Sequence, residues 1–171
     1  GGHAGTTSPF ALMQEIREWF DGPVALSGSI AHGQSILAAQ AMGADFAYIG
    51  SAFIATKEAN AVQGYKENIV EAKASDIVYS SLFTGVHGNY LRQSIVKAGM
   101  DPDNLPEGDI STMNFGSGGN TEAKAWKDIW GSGQGIGAVK EVQSVADMVG
   151  RLEAEYRAAK ARLDGAYRKG W

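Results

Sequence analysis

The chain has 171 residues, of which 44% are hydrophobic and 20% are charged, a composition typical of one globular domain with a sizeable core. Its net charge of −4 and the lack of any basic run argue against nucleic acid as a partner. The absence of cysteine excludes disulfides, thiolate metal sites and cysteine nucleophiles and fits a reducing, cytoplasmic location, and no apolar run approaches the roughly 20 residues of a membrane helix.

The first 75 residues alternate helix and strand patterns. Residues 8–20 begin with Ser-Pro, which is a helix start, and then repeat apolar side chains at helical spacing. Residues 24–26 and 46–49 are short apolar runs typical of buried strands, and a helical pattern over 33–43 separates them. This order predicts repeated βα units around a parallel sheet. Glycines at successive strand ends favour the rim of a (β/α)8 TIM barrel, with a doubly wound sheet as the alternative.

The pattern changes after residue 75. Residues 76–143 are predicted to be an irregular segment on the substrate side that includes the glycine-rich run Gly131–Gly137. No clear strand precedes this run and the GxGxxG spacing fails, so we interpret it as a flexible loop rather than a dinucleotide-binding turn. Ser144 begins a long amphipathic helix that fills the rest of the chain, residues 144–171. The predicted organisation is therefore βα units over 1–75, the irregular segment over 76–143 and a C-terminal helix.

Two consecutive strand-end turns form the strongest physical signal. One contains Gly28 and the other Gly50, and a helix pattern follows directly after Ser51. Glycine lets a phosphate oxygen approach backbone amides closely, and a new helix directs unpaired N–H groups at the same point. The loops after the last two strands of a (β/α)8 barrel build such a phosphate site. The alternative is two tight turns without a ligand; the consecutive pair favours phosphate binding.

The chain has three histidines. His3 lies between small residues at what the pattern indicates is a strand end, where it would act as an acid, a base or a hydrogen-bond donor. An expression scar or a plain loop residue is the alternative for His3. His32 is expected in an exposed turn, and His87 in an irregular polar segment. No two histidines have metal-ligand spacing, so no metal site is predicted.

Three stretches occur together in the order and spacing of a known family. They are Gly1-Gly2-His3-Ala4-Gly5, Ser27-Gly28-Ser29-Ile30 and the run from Gly43 to Phe53, GADFAYIGSAF. With them the chain resembles the nitronate monooxygenase (2-nitropropane dioxygenase) family. The Gly133-Gln134-Gly135 stretch and the long last helix also look like the tail of family members. The resemblance covers most of the chain, and the ordered set is more specific than any one motif.

The resemblance implies an α/β fold: the C-terminal half of a (β/α)8 barrel with an irregular insertion and a long C-terminal helix, holding FMN at its rim. It places Gly1 and Gly2 on the flavin side, Gly28, Ser29, Gly50 and Ser51 on the phosphate, Tyr48 and Ile49 beside the cofactor, and His3 as the active-site histidine. Two residues depart from the family pattern, since Ser29 replaces a glycine and Ser51 a threonine. Both keep a backbone N–H, so phosphate binding is expected to survive.

The function that the resemblance implies is oxidation of alkyl nitronates with oxygen by an FMN-dependent oxidoreductase. In such an enzyme His3 would take the proton next to a nitro group or hydrogen-bond a developing negative charge. One alternative is an FMN-dependent reductase acting on an enoyl chain bound to acyl carrier protein, or on a quinone with NAD(P)H. Another is a flavin- or phosphate-binding fragment without turnover. All but the last imply a small-molecule substrate, and an oligomer is compatible with each.

Two further expectations concern exposure and the long segment. A barrel needs eight strands and about 250 residues, so the 171 residues are expected to be part of one. The strand residues Leu26, Phe46, Tyr48 and Ile49 would then be partly exposed. The chain alone would self-associate or pair with a partner that supplies the rest of the barrel, and its affinity for FMN would be weak or absent. Part of the long segment, near Thr84–Asn89, is expected to fold over the flavin at the His3 end, with His87 and Tyr90 shaping the substrate pocket.

Overall fold

A computed structural model describes residues 2–108 and 128–168, which form two small sheets flanked by helices. The strands are β1 (Gly2–His3), β2 (Ala25–Ser27), β3 (Phe46–Tyr48), β4 (Ile77–Ser80) and β5 (Gly88–Leu91). The helices are α1 (Pro9–Arg17), α2 (Gly33–Ala41), α3 (Ser51–Ile54), α4 (Gln63–Glu71), α5 (Arg92–Lys97) and α6 (Val145–Arg168), with 3-10 turns at Ala74–Asp76 and Gln134–Ala138. No helix in these two ranges is both long and apolar enough to cross a membrane.

β2 and β3 form the predicted parallel pair, with Ala25 opposite Phe46 and Ser27 opposite Tyr48. The connecting helix α2 begins where predicted, after His32, whose Nδ1 accepts a hydrogen bond from the Gln34 N–H at 3.2 Å. This contact satisfies one of the unpaired amides of the first helical turn. The βαβ unit expected from the apolar runs is therefore present, with strand boundaries shifted by one residue.

The two faces of this sheet differ in exposure. Leu26 is buried against Met13 of α1 and Ala39 of α2, whereas Phe46 is 63% and Tyr48 67% exposed. The expected exposure of Phe46 and Tyr48 is confirmed, and that of Leu26 is wrong. Side chains alternate between the faces of a strand, so the face that carries Leu26 stays covered by helices while the other is open. Ile49 lies just beyond β3 and packs, partly buried, against the main core.

Residues 76–95 are more regular than the sequence predicts. β4 and β5 form an antiparallel hairpin with Ile77 opposite Leu91 and Ser80 opposite Gly88, and α5 follows directly. β1 pairs antiparallel with β5, giving the strand order β1-β5-β4. The prediction of an irregular segment is wrong here because the connection between β4 and β5 is seven residues long. It therefore lacks the short two-residue turn that marks most hairpins in a sequence.

The C-terminal helix α6 covers the main core, where Met148 and Leu152 pack with Ile136 and other apolar residues. Its predicted cap is present, because the Asp147 N–H donates to Ser144 Oγ at 3.1 Å. A Cβ atom on Gly33 would lie 2.3 Å from the Tyr156 backbone nitrogen. The absence of a side chain at Gly33 therefore lets the start of α2 lie directly on α6.

Candidate active site

A pocket of about 370 Å³ lies at the ends of β2 and β3, and its volume is within the range of small-molecule sites. Three segments and one helix form its walls. The lining residues are Ser27, Gly28, Ser29, Ile30, Ala31, Tyr48, Gly50, Ser51, Ile54, Tyr65, Gly131, Gly133, Gly135 and Ile136. The two predicted strand-end turns, at Gly28 and Gly50, therefore line one cavity. This is expected because the carboxyl ends of neighbouring parallel strands lie at the same edge of a sheet.

The first wall is the turn after β2. Gly28 has φ +107° and Ser29 has φ +56°, so two consecutive residues adopt left-handed backbone conformations. Glycine does so freely, whereas serine carries a steric cost. Ser29 is the one non-glycine residue with positive φ within 2–108 and 128–168. The position at which this chain departs from the family's glycine is thus a position where the backbone favours glycine.

The second wall is Gly50, between β3 and α3. Its φ is −109°, a value open to any residue, and a Cβ atom built there meets nothing within 4 Å. Neither backbone conformation nor internal packing therefore requires glycine at this position. A side chain here would occupy open space beside the pocket, so the glycine leaves the end of β3 open to a ligand.

The third wall is the glycine-rich run 131–136, for which the sequence predicts a flexible loop. Residues 134–138 instead form a 3-10 turn, and a Cβ atom on Gly135 would lie 2.7 Å from the carbonyl carbon of Ser29. The Gly133 N–H donates to Ser51 Oγ at 2.8 Å. The loop interpretation is therefore wrong, because this run packs directly onto both strand-end turns.

Tyr65 of α4 supports this third wall. Its hydroxyl donates a hydrogen bond to the Gly131 carbonyl, and its ring stacks on Trp130 with centroids 5.1 Å apart and planes 12° apart. Burial raises the pKa of Tyr65 to about 12, so the phenol is a hydrogen-bond donor at neutral pH. Nothing in the local sequence marks Tyr65, since its partner Gly131 is 66 residues away.

The described lining of the pocket carries no charged side chain. A bound anion would therefore be held by backbone N–H groups and hydroxyls, in the manner of glycine-rich phosphate sites. Ser51 Oγ accepts from Gly133 and still has its own proton to donate. The open space at Gly28 and Gly50 and these donors fit the phosphate of a flavin nucleotide.

His3 lies outside this pocket, in β1. It is opposite Gly88 of β5, and Gly131 forms a bridge with Tyr90 two residues further along β5. Two residues of a strand span about 7 Å. His3 and the pocket residue Gly131 are therefore neighbours along β5, with the histidine next to the pocket rather than within it.

The segment expected to cover the His3 end does reach it. The Ala4 N–H donates to the His87 carbonyl at 3.1 Å, and the His87 ring stacks on Tyr79 with centroids 4.7 Å apart. Tyr90 is buried, and its hydroxyl lies 3.5 Å from Thr84 Oγ1. Neither His87 nor Tyr90 lines the 370 Å³ pocket. Both instead support the sheet on which His3 lies.

The remaining candidate residues are spread more widely. Gly1 lies outside the described residues, and Gly2 is opposite Asn89 in β1. Within 2–108 and 128–168 there is no group of three or more His, Asp or Glu side chains that could hold a metal ion. Five of the nine candidate residues line the pocket, namely Gly28, Ser29, Tyr48, Gly50 and Ser51.

Residues 1–155 match the family model for nitronate monooxygenase. A nitronate monooxygenase of Paraburkholderia phytofirmans is 27% identical in an alignment that covers 95% of this chain and 48% of the relative. A protein of Staphylococcus haemolyticus named probable nitronate monooxygenase is 26% identical over 72% of this chain and 36% of its own length. The chain therefore spans at most about half the length of these relatives.

Two solved structures resemble this chain in fold. FabK from Thermotoga maritima superposes with a TM-score of 0.71 at 23% identity, covering 97% of this chain and 54% of that protein. A nitroalkane oxidase from Streptomyces ansochromogenes gives a TM-score of 0.68 at 26% identity, covering 95% of this chain and 50% of that one. Both are TIM-barrel enzymes. The mixed helix and strand arrangement is consistent with part of a barrel.

Proposed function

Because the chain belongs to the nitronate monooxygenase family, we propose that it forms the phosphate-binding and proton-transfer part of an FMN-dependent oxidoreductase that oxidises alkyl nitronates with oxygen. It would supply the C-terminal half of the barrel. The observation that carries the proposal is the pocket at the two strand ends, where Gly50 is a glycine without any internal reason to be one.

In this proposal the FMN phosphate lies between the turns at Gly28 and Gly50 and below the wall at Gly133. Backbone N–H groups and the Ser29 and Ser51 hydroxyls would be its donors. Tyr48 ends β3 with a side chain 67% exposed at the pocket, so it has room to contact the ribityl chain. When bound, FMN supplies the electron-accepting and oxygen-reactive chemistry.

His3 carries the proton transfer in the same proposal. A neutral imidazole takes the proton from the carbon next to the nitro group, the electron pair of the broken C–H bond remains on the nitronate, and the histidine becomes positively charged. A preformed nitronate has already lost that proton. The role of His3 should therefore matter for nitroalkanes and much less for nitronates.

A substrate comparison tests this function. The complete barrel that contains this chain, loaded with FMN, should consume oxygen with a nitronate and without NADH. His3→Asn should lower turnover of neutral nitroalkanes by roughly 10²–10⁴-fold and that of nitronates far less. Equal losses on both substrates would point to a binding or electrostatic role for His3. No oxygen consumption with any nitronate would contradict the proposed activity.

The reductase alternatives give a different result in the same apparatus. A flavin that is bleached by NAD(P)H and re-oxidised by a quinone or an enoyl thioester would identify a reductase. A protein that binds flavin and shows neither reaction would be a flavin-binding module without turnover. The likeness to FabK, at 23% identity, concerns the fold and does not favour either alternative over nitronate oxidation.

A further inference from the structure

The side chain of Thr84 hydrogen-bonds that of His3. Thr84 lies in the connection between β4 and β5 and is 3% exposed, with its Oγ1 2.9 Å from His3 Nε2. The contact joins residues 81 positions apart in the chain. A buried threonine hydroxyl thus meets one defined nitrogen of a more exposed histidine.

The other contacts of Thr84 fix the direction of this hydrogen bond. The Val86 carbonyl oxygen lies 2.8 Å from Oγ1, and a carbonyl can only accept, so the single hydroxyl proton of Thr84 points to Val86. The Val86 N–H donates back to Oγ1 at 3.3 Å. The Tyr90 hydroxyl lies 3.5 Å from Oγ1, and Oγ1 has no second proton to give to Tyr90 or to His3. It therefore accepts from His3, and Nε2 must carry the hydrogen.

We propose that Thr84 is a positioning residue that holds neutral His3 as the Nε2–H tautomer and so makes Nδ1 its basic atom. No described residue forms a hydrogen bond with Nδ1, which leaves its lone pair available. The catalytic consequence rests on the proposed function of His3, whereas the tautomer itself does not. Thr84 is not in contact with the 370 Å³ pocket and acts through the imidazole.

With Nε2–H donated to Thr84 and Nδ1 as the base, every proton and electron pair of the proposed transfer is accounted for. Nδ1 takes the proton from the substrate carbon, the C–H electron pair stays on the nitronate, and the Nε2–H remains donated to Thr84 throughout. The fixed Nε2–H contact also sets the plane of the ring. Without the Oγ1 acceptor the imidazole would rotate and exchange tautomers, so that the basic nitrogen would face the substrate only part of the time.

Nitrogen NMR tests the tautomer directly and without turnover. In protein labelled with ¹⁵N-histidine, two-bond ¹H–¹⁵N correlations at about pH 8.5, where an ordinary imidazole is neutral, should show His3 as a single Nε2–H tautomer. His3→Asn identifies its signals. Thr84→Val, which keeps the shape and removes the acceptor, should give the tautomer mixture of a solvent-exposed imidazole. Thr84→Ser should return the signals toward those of the wild type.

A wild-type His3 that is mainly Nδ1–H, or mixed to the same degree as in Thr84→Val, would overturn the proposal even if the valine variant did not fold. In turnover, Thr84→Val should lower kcat for neutral nitroalkanes by about three- to tenfold, with little change in KM or in nitronate oxidation, and Thr84→Ser should recover most of the loss. A single Nε2–H tautomer without nitroalkane turnover in wild-type protein would support the tautomer and contradict the proposed function.

Discussion

Gly135 and Ser29 lie so close that a Cβ atom on the glycine would be 2.7 Å from the serine carbonyl carbon and 2.9 Å from its oxygen. This contact joins the glycine-rich run to the turn after β2. It converts two strand-end turns into a pocket with a third wall. The backbone of Ser29 is itself in a left-handed conformation. The positive φ and the close approach of Gly135 therefore occur at the same residue.

Gly135→Ala should displace the third wall. The added methyl group meets backbone atoms that have no flexible side chain to move, so we expect a loss of about 1–3 kcal/mol in the free energy of unfolding and weaker flavin binding. Gly137→Ala is the matched control, since a Cβ atom there meets nothing within 4 Å. Urea unfolding curves for both variants measure the difference, and equal stabilities would show that the close contact is absent.

Ser29→Gly should stabilise the protein. Removing the strained left-handed serine should raise the free energy of unfolding by about 1–2 kcal/mol. The larger conformational entropy of glycine in the unfolded chain offsets roughly half of that increase. A net gain of about 0.5–1 kcal/mol is expected by thermal or urea unfolding. Ser27→Gly, in β2 two residues earlier, lacks the positive φ and should instead lose stability. A loss at Ser29 as well would mean that its hydroxyl contributes more than the strain costs.

Asp45 ties the starts of the two parallel strands together. Its Oδ2 accepts from the Val24 N–H and from Arg17 Nη2, both at 2.8 Å, and these partners, the backbone N–H first, hold the pKa of Asp45 below its ordinary value of 3.8. A lowered pKa stabilises the folded protein at every pH above that ordinary value. The contribution is lost as the pH falls through the lower folded-state pKa.

Asp45→Asn should therefore lower Tm at pH 7, and its difference from the wild type should shrink as the pH drops below about 4. Glu15→Gln, an exposed carboxylate on α1, is the control for the change in net charge. Thermal melts between pH 3 and 7 test this, and a Tm difference independent of pH would show that the Asp45 charge is not the source of its contribution.

The sequence predicted those parts of the site that depend on local patterns. The runs 24–26 and 46–49 are apolar and bounded by small residues, so both strands and their glycine turns could be recognised. The walls formed by Tyr65 and by Gly131–Ile136 could not, because they depend on contacts across tens of residues. The spacing of glycines does not distinguish their roles. A side chain at Gly135 would collide with the backbone of Ser29, whereas a side chain at Gly50 would enter open space.

The hairpin of β4 and β5 also depends on long-range contacts that local sequence patterns do not predict. Ile77, Val78 and Tyr79 have strand-forming side chains, but the partner Gly88–Leu91 contains glycine and asparagine, which strands disfavour. Pairing with both β1 and β4 stabilises it nonetheless. The contact of Thr84 with His3 follows from that tertiary arrangement, so no sequence pattern predicts it.

If the pocket beside Gly50 holds the phosphate of FMN, a comparison of FMN with riboflavin will reveal the contribution of that phosphate. Riboflavin lacks the phosphate, so the complete barrel that contains this chain should bind FMN roughly 10–100-fold more tightly than riboflavin, the value of one or two charge-assisted hydrogen bonds. Gly50→Val should remove this preference while leaving riboflavin affinity largely unchanged. Gly150→Val, on α6 where a Cβ atom also meets open space, should preserve it. Equal affinities for the two flavins without the substitution, or an undiminished FMN preference in Gly50→Val, would show that the phosphate does not lie beside Gly50.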